Sequence, residues 1–180
     1  MILTIRPAAP ADASLIHGFI RELADYERLL HEVAASEADI AAMLFTDRPR
    51  AFCDIAEQDG APVGFALWFY NVSTFTGRQG IYLEDLYVRP EARGRGAGKS
   101  LLAALAGRCV DEGLTRLEWA VLNWNTPAMG FYDSLGATAK SEWTVRQLAG
   151  EALARLAAGL PEPVGPAQGG KQPRPETGDQ

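Results

Sequence analysis

Residues 93–100 read Arg-Gly-Arg-Gly-Ala-Gly-Lys-Ser, and nothing else in the chain limits its fold as strongly. Three alternate glycines are costly inside a helix or strand, because glycine loses more backbone freedom on folding than any other residue. The run therefore marks a junction. Before it, Ile81 to Val88 has the two-residue period of a strand; after it, Leu101, Leu102, Leu105, Ala106 and Cys109 recur at helical spacing until Gly113. A glycine loop at a helix start lets backbone amides approach an anion without a side-chain clash, with the positive helix end behind them. Arg93, Arg95 and Lys99 add positive charge, so a diphosphate suits the segment.

Two other phosphate loops fit less well. The triphosphate-binding loop ends in Gly-Lys-Ser, as here at Gly98-Lys99-Ser100, but its first glycine would fall on Arg93. It also needs a later strand ending in a magnesium-binding Asp, whereas Leu117 to Leu122 runs into Asn123. A dinucleotide loop follows the first strand of a parallel unit, and here an antiparallel meander comes first.

That meander is read from Ala51 to Glu57, Val63 to Tyr70 and Ile81 to Val88, the first two joined by the turn Gln58-Asp59-Gly60. Upstream, a short strand stops at Pro7. Asp12 is placed to cap a helix reaching about Arg28 with Leu15, Ile16, Phe19, Ile20 and Leu23 on one stripe. Ser36 to Asp39 starts a second helix that Pro49 closes. Downstream, Leu117 to Leu122 alternates as a strand, Pro127 opens a helix ending near Gly136, and Ala137 to Leu148 supplies one or two closing strands. Residues 1–158 form one expected domain. Residues 159–180, with five glycines and five prolines, hold too few large apolar side chains to offset ordering and are expected to be a disordered tail.

A formal charge of −6 disfavours nucleic acid, whose binding needs a basic face, and no stretch approaches the ~18 apolar residues of a membrane span. Cys53 and Cys109 have neither metal nor disulfide spacing, and His17 and His31 have no catalytic partner in the pattern, so no metal is expected. The start of the chain has no signal-peptide pattern, which leads to the expectation of a cytoplasmic protein.

Arg93-x-x-Gly96-x-Gly98 after Leu86-Tyr87-Val88 resembles the acetyl-CoA loop of the GCN5-related N-acetyltransferases (GNAT). Tyr82-Leu83-Glu84-Asp85-Leu86, Trp124-Asn125-Thr126-Pro127 and Phe131-Tyr132 resemble motifs of its diamine (spermidine/spermine) and thialysine acetyltransferase branch, over roughly residues 1–155. The resemblance implies an α/β (α+β) fold: a mixed, mostly antiparallel central sheet flanked by helices, with acetyl-CoA held where strands ending at Val88 and Leu122 splay. It implies pantetheine contacts at Leu86, Tyr87 and Val88, a diphosphate cradle of Arg93, Gly94, Arg95, Gly96, Ala97, Gly98 and Lys99, and further coenzyme contacts at Asn125, Pro127 and Ala128. On the acceptor side it implicates Tyr26, Glu27, Glu84, Asp85, Glu118, Trp119 and Trp124. A homodimer is implied as well.

The implied reaction is direct acetyl transfer, through a tetrahedral intermediate, to a primary amine of a diamine, polyamine or thialysine- or lysine-like molecule. An alkyl amine with a pKa of about 10.4 is protonated at neutral pH, so a base must take its proton. Glu84 is the candidate base. Alternation sets Glu84 and Asp85 on opposite strand faces unless a bulge intervenes. Tyr132 is the candidate acid toward the departing thiolate, and a backbone N–H near Tyr87 or Val88 could stabilise the oxyanion. Phe75, Trp119, Trp124 and Trp143 are candidate walls of an acceptor channel. A protein or peptide amine as acceptor, or a non-catalytic acyl-CoA sensor, are the alternatives.

Overall fold

A computed structural model describes residues 2–159, so the expected tail lies outside the described residues from residue 160 onward. The chain divides into two compact units, Met1–Met129 and Gly130–Gln180.

The first unit is built on five strands in sequential order: β1 (Leu3–Pro7), β2 (Phe52–Gln58), β3 (Ala61–Ser73), β4 (Arg78–Val88) and β5 (Leu117–Trp119). The first four pair antiparallel, and β4 pairs parallel with β5. The sheet is therefore mixed and mostly antiparallel, as expected. Asp59 (φ 52°) and Gly60 (φ 82°) turn β2 into β3. Both residues are left-handed there, the geometry of a turn that matches the twist of the flanking strands.

Helices α1 (Ala13–Tyr26) and α2 (Glu37–Leu44) cover one face, where Ile16, Phe19, Ile40 and Leu44 pack with Ile55, Phe65, Leu67 and Tyr87. The rings of Phe19 and Phe65 stack at 5.5 Å. Helix α3 (Ala97–Asp111) buries Leu101, Leu102, Leu105 and Cys109, and its Arg108 lies over the Trp68 ring at 5.0 Å. Beneath that ring, the buried Asp54 carboxylate accepts the Trp68 indole N–H at 2.9 Å. Burial raises the Asp54 pKa, while the Trp68 bond and the Arg108 charge oppose the rise.

Asp12 stands where the sequence puts it, at the start of α1, yet its carboxylate does not cap the helix. It takes both ends of the Arg6 guanidinium at 2.7 and 2.9 Å and the Ala9 amide at 2.7 Å. A charged fork is the stronger partner, and the Arg6 contact lowers the Asp12 pKa. Ser36 does cap α2, accepting from the Asp39 N–H, while the Asp39 carboxylate accepts from the Ser36 N–H at 2.8 Å.

Helix α4 (Thr126–Ser134) opens at Pro127 as expected, but the strand before it stops at Trp119 rather than Leu122. In the second unit the expected closing strands are absent: among the described residues, 137–148 form no strand. The Trp143 amide bonds back to Lys140 at 3.3 Å, which turns the chain within the segment, and Trp143 and Val145 stand exposed. Alternating residues specify a strand only where a neighbouring strand supplies the ladder. A short α5 (Gly150–Ala157) follows, which the reading of the sequence did not anticipate.

Candidate active site

Two local features of the first unit shape the site. The parallel pairing of β4 with β5 covers only Ile81 with Leu117, Tyr82 with Glu118 and Leu83 with Trp119. Past that point β4 runs on through Val88 without β5 beside it, which opens the expected gap between the two strands. The β3–β4 register shifts at the same place: Leu67 pairs with Asp85 and Trp68 with Leu83, leaving Glu84 as an extra residue. This bulge is the exception on which the sequence reading was conditional.

Its effect is to set both Tyr82 and Asp85 on the face covered by α1 and α2. Asp85 lies opposite Leu67 and Tyr82 opposite Phe69, whose ring is 5.3 Å from that of Tyr82. Glu118, paired with Tyr82, shares this face, and its carboxylate accepts from the Asn71 amide at 2.9 Å and meets Arg116 at 2.6 Å. Glu84 is exposed at the bulge.

The electrostatics follow from the crowding. Burial first, then the charges of Glu84 and Glu27, push the Asp85 carboxyl up to about 6. Burial raises Glu27, at the end of α1, and burial with Glu84 and Glu118 raises the Tyr82 phenol. Four carboxylates thus border one surface at the parting of β4 and β5. An ammonium relieves their mutual repulsion, and a carboxyl titrating near 6 is suited to accept a proton at neutral pH.

The glycine loop follows β4. Gly94 (φ 72°) and Gly96 (φ 91°) are left-handed, a conformation that side-chain-bearing residues rarely adopt. The first helical bond of α3 runs from the Ser100 N–H to the Gly96 carbonyl at 2.9 Å, so the amides of Ala97, Gly98 and Lys99 precede the ladder. Arg95 and Lys99 are exposed beside them. The segment has the free amides, charge and backbone freedom that a diphosphate requires.

Arg93 departs from that picture. Its Nε donates to the Val88 carbonyl at 2.9 Å, and its guanidinium lies over the Tyr26 ring at 4.8 Å and near the Tyr87 ring at 5.7 Å. Across the gap Asn125, buried, precedes α4, and its Oδ1 accepts the Ala128 N–H at 3.3 Å as a helix cap. The Tyr26 hydroxyl donates to the same oxygen at 3.2 Å. Pro127 sits in the first turn of α4.

The proposed acceptor residues divide. Glu27, Glu84, Asp85 and Glu118 border the acidic surface, whereas Tyr26 meets Arg93, Asn125 and Trp124. Trp124 is half exposed against Tyr26, with ring centroids 6.0 Å apart. Trp119 pairs with Leu83, whose partner Trp68 faces α3, so it belongs to the opposite face. Phe75 stands 94% exposed at the tip between β3 and β4 and walls nothing. Trp143, also exposed, and Tyr132 belong to the second unit, where the Tyr132 and Phe131 rings lie 5.4 Å apart. The sequence reading missed Tyr82, whose phenol lies on the acidic surface. Only the bulge brings it there.

The sequence profile of the acetyltransferase (GNAT) family matches residues 17–137. The chain belongs to the GNAT family. It is accordingly an N-acetyltransferase that uses acetyl-CoA. The bovine (Bos taurus) thialysine N-epsilon-acetyltransferase is 40% identical over 164 residues, covering 85% of this chain and 96% of the relative. The L-ornithine N5-acetyltransferase of Arabidopsis thaliana is 32% identical, covering 85% and 87%. Among solved structures, an integron cassette protein of V. cholerae superposes with a TM-score of 0.73 at 28% identity, over 87% of this chain and 98% of the other.

Among the described residues of this GNAT chain, no group of three or more His, Cys, Asp or Glu is arranged to hold a metal ion. None of their helices is long and apolar enough to cross a membrane.

Proposed function

We propose that the acceptor is the side-chain amine of a short, lysine-like molecule, and that its ammonium docks against Glu27, Glu84, Asp85 and Glu118. The observation that carries this reading is Asp85, a partly buried carboxyl with a pKa of about 6 at the point where β4 loses its neighbour. Glu84, exposed beside it, attracts the ammonium, and the Glu84–Asp85 pair takes the proton that must leave before nitrogen can attack. Tyr132 donates a proton to the departing coenzyme A sulfur. Residues 94–99 hold the coenzyme's diphosphate, with Leu86 to Val88, Asn125, Pro127 and Ala128 along its length.

The names of the relatives, thialysine and L-ornithine acetyltransferases, support an acceptor of this size. Thiol release from acetyl-CoA, measured against thialysine, lysine, ornithine, short diamines and spermidine, tests the reading. The highest kcat/KM is expected for a lysine-like amine; spermidine ahead of all of them would overturn it. In the same assay Tyr132→Phe is expected to lose on the order of 10²-fold in kcat while coenzyme binding is kept.

A further inference from the structure

Tyr26 ends α1 and spans the gap between β4 and β5. On one side its ring receives the Arg93 guanidinium at 4.8 Å, and Arg93 is itself tied to the Val88 carbonyl at 2.9 Å. On the other side its hydroxyl donates to Asn125 Oδ1 at 3.2 Å, and its ring meets Trp124 at 6.0 Å. A single side chain therefore joins the segment leaving β4 to the segment leaving β5. One turn earlier on the same helix, Glu22 holds Arg89 through contacts of 2.8 to 3.2 Å, which anchors α1 to the end of β4.

Family resemblance puts Tyr26 on the acceptor side, where its ring meets Trp124, but its hydrogen bond and its cation contact are with Asn125 and Arg93, which the reading above gives to the coenzyme. We propose that Tyr26 is a positioning residue for acetyl-CoA, fixing Arg93 and Asn125 on opposite walls of the coenzyme cleft. The inference rests on that reading. Stacking fixes the plane of the Arg93 guanidinium while its terminal nitrogens make no hydrogen bond within the described residues, so they are free to meet a coenzyme anion. The hydroxyl bond holds Asn125 in the orientation that also caps α4. Tyr26 thus acts through two other side chains on the coenzyme.

Calorimetry with coenzyme A, and steady-state kinetics with thialysine at saturating acetyl-CoA, separate the possibilities in the full chain. Tyr26→Phe keeps the ring and loses only the bond to Asn125; it is expected to weaken coenzyme A about fivefold. Tyr26→Leu also loses the stacking on Arg93 and is expected to weaken it by at least tenfold more than wild type. In both, the KM for the amine stays within twofold. Tyr26→Leu and Arg93→Ala should combine non-additively in coenzyme affinity, as two residues acting through one contact do.

Unchanged coenzyme affinity in Tyr26→Phe, or an effect confined to the amine KM, would return Tyr26 to the acceptor side and overturn the proposal. Tyr26→Phe carries this test even if Tyr26→Leu does not fold. If the wild-type chain gives no heat with coenzyme A, the coenzyme reading itself fails and this proposal falls with it.

Discussion

Asp85 gains a proton affinity suited to catalysis at a cost in stability. Its folded pKa of about 6 lies above the ordinary carboxylate value, so between those two pH values the native state holds more protons than the unfolded chain. Stability from this group is complete below the ordinary value and is lost as pH rises through 6. Asp85→Asn is expected to abolish that slope and to leave the protein more stable at pH 8 by on the order of 1–3 kcal/mol, as measured by urea unfolding at pH 5 and pH 8. The same substitution should remove the acid limb of kcat/KM near pH 6 and lower the rate above it. A variant that kept the limb would move the titrating group elsewhere.

At the scale of elements, the glycine loop tests whether backbone conformation or side-chain space sets binding. Nothing lies within 4 Å of a Cβ built on Gly96, so alanine would fit sterically, but its φ of 91° is strained for any residue with a side chain. Gly96→Ala is therefore expected to weaken coenzyme A on the order of tenfold in calorimetry, because the loop must relax out of its left-handed form. Gly107, inside α3 and equally open, is the control. Gly107→Ala is expected to stabilise the chain by roughly 0.5–1 kcal/mol without changing coenzyme affinity. The loop was legible in the sequence because glycine at such positions is a conformational demand. The position of Arg93 was not, since its partners Tyr26 and Tyr87 are 67 residues and 6 residues away in the chain and nothing in the motif tells an anion contact from a ring contact. The segment 137–148 misled for a related reason: its alternation is a local property, and pairing is not.

Across the whole molecule, the antiparallel meander of β2, β3 and β4 and the apolar stripes of α1 and α3 followed from periodicity and punctuation, and the parting of β4 from β5 from the family resemblance, although β5 ends at Trp119 rather than at the expected Leu122. Asp85 itself was named, but its burial and its companionship with Tyr82 depend on one register shift that no residue type announces. Trp143, Val145, Leu148, Leu153 and Leu156 in the second unit present exposed apolar side chains. Exposed apolar side chains of this kind are candidates for a partner to cover, and the family resemblance implies that the partner is a second copy of the chain. Sedimentation equilibrium is expected to return a dimer mass, and replacing Trp143 and Val145 by Ser should shift it toward monomer while leaving the fold of the first unit intact. A wild-type monomer at assay concentrations would remove the dimer from the account.

The extra residue at position 84 also changes which kind of mutation this strand tolerates. Substituting Glu84 alters one carboxylate; deleting it would remove the unpaired residue and leave Leu67 opposite Asp85 and Trp68 opposite Leu83 in a regular ladder, with Tyr82 and Asp85 still on the face of α1 and α2. A loss of three nucleotides there would thus take away one carboxylate and the local bend of the strand yet spare the rest of the acidic floor.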